Sequence, residues 1–171
     1  MERTKVKFAK VYINAIIPSK RDEDMGFDIY PCFDEDYIVI NPHETKLIPT
    51  GIASACSPKY GFLVFERGST GSKGIARRCG VIDSGYRNEW FIGLTNTTDK
   101  VMFISKLSEE ETYKSYYGDV ISPSFVYPYS KAIAQALVIP VPKTKVKEVS
   151  YDELKKIKSK RGLGKLGSSN K

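Results

Sequence analysis

Short apolar and aromatic runs recur along the chain, each cut off by Gly, Pro, Asn or Asp. They are VKFAKVYI (6–13), YIVINP (37–42), TKLIPTGI (45–52), GFLVFE (61–66), EWFIGLTN (89–96), KVMFIS (100–105) and QALVIPV (135–141). Val, Ile, Phe and Tyr dominate them, which favours strands over helices. Many short strands at this spacing predict an all-β fold, a closed barrel or a jelly-roll sandwich, rather than a parallel α/β sheet. One helix is predicted, over 151–158. Ser150 stands before it as N-cap, and Glu153 completes a capping box three residues on. In DMGFDIY (24–30) polar and apolar residues alternate, so Phe27 and Ile29 should face inward and Asp28 the other way.

Two stretches break the pattern. KLSEEETYKSYYGDVISPSFVYPYS (106–130) mixes charge, Tyr and Pro without clear periodicity. It reads as a long loop or a partly ordered insertion, and as the candidate surface for a protein partner. The terminal 149–171 reads as the short helix followed by a basic Gly/Ser-rich arm, set apart from a β-rich body at 1–148. That arm has too few apolar groups to pack alone, so it should be mobile unless a ligand or a neighbouring subunit orders it.

Charge sharpens the division. The net charge is +7, yet residues 1–142 carry 17 basic and 17 acidic side chains. Residues 143–171 carry 10 basic and 3 acidic, so the excess lies in the tail. Such a tail suits nucleic acid, a membrane surface or a polyphosphate. No apolar run is long enough to span a bilayer, and the charged start MERTKVKFAKVYINAIIP lacks a signal-peptide apolar region, so a cytoplasmic location is expected. Cys32, Cys56 and Cys79 form no C-x-x-C pair and are read as reduced thiols. His43 is the one histidine and sits in an Asn-Pro-His turn, so it is read as a surface residue.

Five segments could carry chemistry. Two are Gly-rich, hydroxyl-bearing loops beside cations, suited to phosphate because glycine lets backbone N–H groups approach an anion. These are Arg67-Gly68-Ser69-Thr70-Gly71-Ser72-Lys73-Gly74 and Arg161-Gly162-Leu163-Gly164-Lys165-Leu166-Gly167-Ser168-Ser169. Neither completes a phosphate-loop signature, and the G-x-G-x-x-G match in the second has no βαβ unit behind it. The third segment is Gly80-Val81-Ile82-Asp83-Ser84-Gly85-Tyr86-Arg87-Asn88-Glu89-Trp90, read as a β-hairpin with Asp83 and Tyr86 near its tip. Fourth comes DMGFDIY with Asp28. The fifth is KAIAQA (131–136), which sets the lone amide of Gln135 in an apolar strand. Taken singly, each is an ordinary turn or strand.

In this order and spacing, the five resemble the five motifs of the trimeric dUTPase family, of bacterial or phage type. DMGFDIY is similar to the first motif, RGSTGSKG to the second, GVIDSGYRNEW to the third, KAIAQA to the fourth and RGLGKLGSS to the fifth. Together they cover about a quarter of the chain. The resemblance implies a distorted jelly-roll β-barrel and a homotrimer in which each site draws on three subunits. It implies hydrolysis of dUTP to dUMP and pyrophosphate with Mg²⁺, limiting uracil in DNA and supplying dUMP for thymidylate synthesis. Asp83 would activate the attacking water and contact the sugar 3′-hydroxyl, and Tyr86 would pack under the deoxyribose. Backbone groups of Gly80, Val81 and Ile82 would read uracil while the narrow hairpin excludes the thymine methyl. Arg67, Gly68 and Ser69 would hold phosphates. Asp28 and Gln135 would bind waters of a Mg²⁺ held mainly by the triphosphate. Arg161, Leu166, Gly167, Ser168 and Ser169 would close over the nucleotide as a lid, which accounts for the basic tail.

Three positions depart from the family pattern. Gly68 stands where Ser usually follows the second-motif Arg, with the hydroxyl moved to Ser69. Leu166 replaces the aromatic that stacks on uracil, which leaves Trp90 or Phe91 as candidate substitutes. The 106–130 stretch is also longer than the usual connection. Competing readings are a regulatory protein on the same scaffold, a dCTP deaminase, and a nucleic-acid-binding barrel. The D-S-G-Y segment argues against the deaminase, and the balanced charge of 1–142 argues against stable nucleic-acid binding.

Overall fold

The protein was analysed as a computed structural model, which describes residues 5–120 and 122–164. In chain order the elements are β1 (Val6–Lys10), β2 (Phe27–Ile29), β3 (Tyr37–Ile40), β4 (Thr45–Pro49), β5 (Ile52–Cys56), β6 (Tyr60–Phe65), α1 (Gly68–Gly71), β7 (Ile75–Arg78), β8 (Val81–Ile82), β9 (Phe91–Asn96), β10 (Val101–Ser105), α2 (Glu109–Tyr117), β11 (Ser124–Pro128), β12 (Ala134–Pro140) and α3 (Tyr151–Lys156). The chain forms two compact units, Met1–Val141 and Pro142–Lys171.

In the first unit the strands make four sheets, ordered β1-β5, β11-β10-β3, β2-β12-β6-β8 and β4-β9-β7. All pairings are antiparallel except β10 with β11. Among the described residues the ladders do not join into a closed barrel. What unites the sheets is a shared core, to which β2, β3, β4, β6, β9 and β10 contribute Ile29, Ile40, Ile48, Phe62, Leu94 and Ile104. Alternation is seen in β12, where Ala134 and Ala136 are buried and Gln135 and Leu137 less so, whereas β9 is buried at every position after Phe91.

Three expectations change. Trp90 is fully buried, edge-on to Phe62 at 5.0 Å and to Phe8 at 5.7 Å, so it belongs to the core and cannot stack on a base. Phe91 remains exposed. The 80–90 segment is not a hairpin: β8 pairs with β6, whereas β9 pairs with β4 and β7. The chain leaving Asp83 is captured elsewhere, by Trp90 N–H donating to the Ile52 carbonyl (2.8 Å) and by Glu89 accepting from Gly51 N–H (2.7 Å). Finally, the described residues of the 106–130 stretch form a helix and a strand. Its helix α2 opens on a capping box, Ser108 Oγ accepting from Glu111 N–H (3.2 Å) and Glu111 accepting from Ser108 N–H (3.0 Å). Strand β11 then pairs in parallel with β10. Tyr113, Tyr116 and Tyr117 gather around Phe103, with ring centroids 5.1–6.1 Å away.

In the second unit, α3 starts at the predicted cap, with Glu153 N–H donating to Ser150 Oγ at 3.2 Å. It ends at Lys156, two residues early, because Ile157 turns extended at φ −68°, ψ 117°. So the described residues contain three short helices where one was expected. No helix among them is long and apolar enough to cross a membrane.

Candidate functional site

Strand pairing puts three distant segments at one place. On β12, Gln135 lies opposite Asp28 of β2 on one side and Phe65 of β6 on the other, so these residues share one sheet face. Directly after β6 comes Arg67. Its guanidinium clasps Asp28 at both oxygens, Nε to Oδ1 at 2.8 Å and Nη2 to Oδ2 at 3.2 Å. Such a two-point pair fixes the plane of the guanidinium. The third nitrogen, Nη1, points to Ser69 Oγ at 3.4 Å.

The backbone of this turn is also held. Thr70, fully buried, accepts from Arg67 N–H and donates to the Arg67 carbonyl, both at 3.0 Å. Gln135 Nε2 donates to the Glu66 carbonyl at 2.8 Å. Glu66 in turn accepts from Arg77 N–H at 2.8 Å. Burial works to raise the Glu66 carboxyl, but that bond and the nearby charges of Arg77 and Arg78 hold it below its ordinary value. Gly26 is required here, since a Cβ would come within 2.8 Å of Gln135 Oε1. Gly68 is not: a Cβ there would meet open space.

A cleft of about 860 Å³ opens over these groups, lined by Asp28, Arg67, Gly68, Ser69 and Gln135 and by the 19–26 loop. That loop ties itself down through the Arg21–Asp24 ion pair (2.9 Å) and through Lys20 Nζ donating to the Asp24 carbonyl (2.6 Å). The structure thus joins the Asp28, Arg67 and Gln135 segments, which sequence patterning had left apart. Glu66, Thr70 and the 19–26 loop were missed. For Thr70 the signal was the hydroxyl three residues after Arg67, a capping spacing.

Asp83 lies outside that cleft. It is exposed, and its carboxylate makes no hydrogen bond among the described residues. It borders a separate cavity of about 100 Å³ with Val81, Ile82, Ser84 and Tyr60. The turn that carries it is closed by Tyr86 N–H donating to the Asp83 carbonyl at 3.1 Å. Arg87 Nη1 reinforces it by donating to the Ser84 carbonyl at 2.6 Å. Tyr86 donates its hydroxyl to the Glu89 carbonyl (3.1 Å) and leaves its ring partly exposed. Gly80 is needed where β7 gives way to β8, since a Cβ would approach the Val64 carbonyl oxygen to 2.8 Å.

In the second unit, Arg161 Nε donates to the Gly164 carbonyl at 3.3 Å. Leu166, Gly167, Ser168 and Ser169 lie outside the described residues. The three cysteines are free thiols. No group of three or more His, Cys, Asp or Glu side chains among the described residues could hold a metal by itself.

Comparison with known proteins fits this arrangement. The dUTPase family model matches residues 14–108, more than half of the chain. The deoxyuridine 5′-triphosphate nucleotidohydrolase of Nautilia profundicola is 30% identical over 176 residues, covering 98% of this chain and 99% of its own. Among solved structures, a dUTPase of Staphylococcus bacteriophage 80alpha bound to dUpNHpp superposes with a TM-score of 0.71 at 20% identity, covering 96% of this chain and 98% of its own. The dUTPase of S. aureus phage phi11, described with a coordinated structural Mg(II) ion, gives 0.66 at 21% identity, covering 87% and 99%. These two likenesses show a shared fold, the jelly roll of the dUTPases. By its family match and its full-length relative, the chain belongs to the dUTPase family.

Proposed function

We propose that the protein hydrolyses dUTP to dUMP and pyrophosphate at sites shared between the subunits of a homotrimer. The observation that carries this is the division just described. Arg67, Asp28 and Gln135 share one cleft, while Asp83, the proposed base, borders another. A second copy that brings its 83–86 turn to this cleft completes the site.

In that site Arg67 is the phosphate ligand. Asp28 takes Nε and Nη2, leaving Nη1 and the Ser69 hydroxyl to converge on one phosphate oxygen. Asp83, whose carboxylate makes no hydrogen bond with any described residue, accepts the proton of the attacking water. The water oxygen bonds to the α-phosphorus, the bridging bond to the β-phosphate breaks, and pyrophosphate leaves with the electron pair. The Tyr86 ring packs under the deoxyribose and leaves no space for a 2′-hydroxyl.

The donor set suits Mg²⁺ held mostly by the triphosphate. Asp28 and Gln135 are adjacent oxygen donors on one face, and a carboxylate clasped by Arg67 keeps lone pairs for water. With no protein cage among the described residues, the ion would keep its waters, as Mg²⁺ prefers. When bound, it neutralises phosphate charge. Arg161, Leu166, Gly167 and Ser168 belong to the lid over the outer phosphates, and 149–171 is the arm that delivers it.

The test is pyrophosphate release with Mg²⁺ from dUTP, beside UTP, dTTP and dCTP, by wild type and Asp83→Asn. Release from dUTP alone, lost in the variant, is expected. No release from any of them by a folded trimer would turn the reading to a regulatory protein on this scaffold. The exposed ring of Tyr116 on α2 favours a partner surface within 106–130 as a second role. Because β11 is part of a sheet, Tyr116→Ala rather than a deletion tests that role: partner capture should fall and catalysis stay.

A further inference from the structure

Of the six arginines among the described residues, five have hydrogen-bonded partners. Arg21 and Arg67 pair with carboxylates, Arg78 donates to Thr95 Oγ1, and Arg87 and Arg161 donate to backbone carbonyls. Arg77 is different. Its Nε is buried without a partner, and its guanidinium makes no hydrogen bond with any described residue. It lies over the Phe65 ring, 5.6 Å from the centroid. Its own main-chain N–H is anchored to Glu66, so the base of the side chain is fixed as well.

A buried guanidinium nitrogen with its donor unused is costly, and Arg77 as a whole is only half-buried, so its terminal nitrogens stay within reach of a ligand that supplies an acceptor. Its position indicates which ligand. The guanidinium covers Gly80, where a Cβ would stand 2.7 Å from Arg77 Cζ. Gly80 begins the backbone stretch that the family resemblance assigns to uracil, and this inference rests on that assignment and on the function proposed above.

We propose that Arg77 is a specificity-determining residue whose guanidinium donates to the keto oxygen at C4 of the pyrimidine. Arginine has donors and no acceptor. Uracil offers an acceptor at C4, whereas cytosine offers an amino donor. Donor facing donor leaves both unpaired, a mismatch that rejects an analogue far better than a missing apolar contact does. The Phe65 ring face favours this position of the cation, so moving aside to accept cytosine gives up that contact.

Calorimetric binding of dUMP and dCMP to the full-length protein tests this without relying on turnover. Arg77→Met should lose on the order of 10- to 100-fold in dUMP affinity, the effect of one charged hydrogen bond, with dCMP binding unchanged. Arg77→Lys should recover part of the loss. Phe65→Leu, which keeps the guanidinium but removes its platform, should show a smaller loss in the same direction. If Arg77→Met does not fold, the other two variants decide. Equal losses for both nucleotides, or none, at an unchanged melting temperature would overturn the assignment. A wild type that binds neither nucleotide would instead overturn the proposed function.

Discussion

The cleft around Arg67 and the turn at 83–86 hold their charged groups in opposite ways. In the cleft Arg67 is clasped by Asp28 and Arg21 by Asp24, and Gln135 donates to the Glu66 carbonyl. At the turn the bonds are made by backbone or by Tyr86 and Arg87, and Asp83 is left exposed with no hydrogen bond to its carboxylate among the described residues. In the proposed function the cleft holds the phosphates. The turn presents the carboxylate proposed as the base, beside a small separate cavity. Each looks half-built alone, and the two halves have complementary chemistry.

Substitutions separate the halves. The largest effect is expected at Asp83. Asp83→Asn should lower dUTP turnover by about 10³-fold, the scale of losing a general base, and leave the melting temperature unchanged because no native bond is removed. Arg67→Met should cost about 10²-fold in kcat/KM for dUTP, the scale of losing one charge-stabilising donor. Unlike the first, it should also lower the melting temperature, because half-buried Asp28 loses its ion pair. Gln135→Ala leaves the Glu66 carbonyl without its donor and should cost about 1–3 kcal/mol in denaturant unfolding. The smallest change is a gain. Gly68→Ser places a hydroxyl in open space beside Arg67, so a modest rise in kcat is expected. Unchanged or lower turnover there would mean that the Ser69 hydroxyl already fills the role.

Strand positions were readable because Val, Ile, Phe and Tyr gather in short runs cut off by Gly, Pro, Asn or Asp, as in the run that became β9, which is buried at every position after Phe91. The α3 cap was readable from Ser150 and Glu153 alone, since a capping box is a local device. Ser108 and Glu111 wrote the same signal before α2, but that helix packs inward with Thr112, Tyr113 and Tyr117 rather than an aliphatic stripe, and the segment read as loop. At the site, residue identities came from the motifs, but their partners did not. That Asp28 meets Arg67, or that Gln135 holds the Glu66 carbonyl, depends on β2, β12 and β6 lying side by side, which no local pattern states. Trp90 misled for a related reason: next to a functional turn it suggested a stacking ring, whereas core burial between Phe8 and Phe62 decided its place.

The central claim is that Asp83 of one copy acts at the cleft of another, and mixing two inactive proteins tests it directly. Asp83→Asn and Arg67→Met chains, unfolded together and reassembled, form hybrid trimers in which some sites pair an intact Arg67 with an intact Asp83. Random association predicts that roughly a quarter of wild-type dUTP hydrolysis returns. If verified hybrid trimers show no more activity than the separate variants, each chain builds its site alone and the account is wrong.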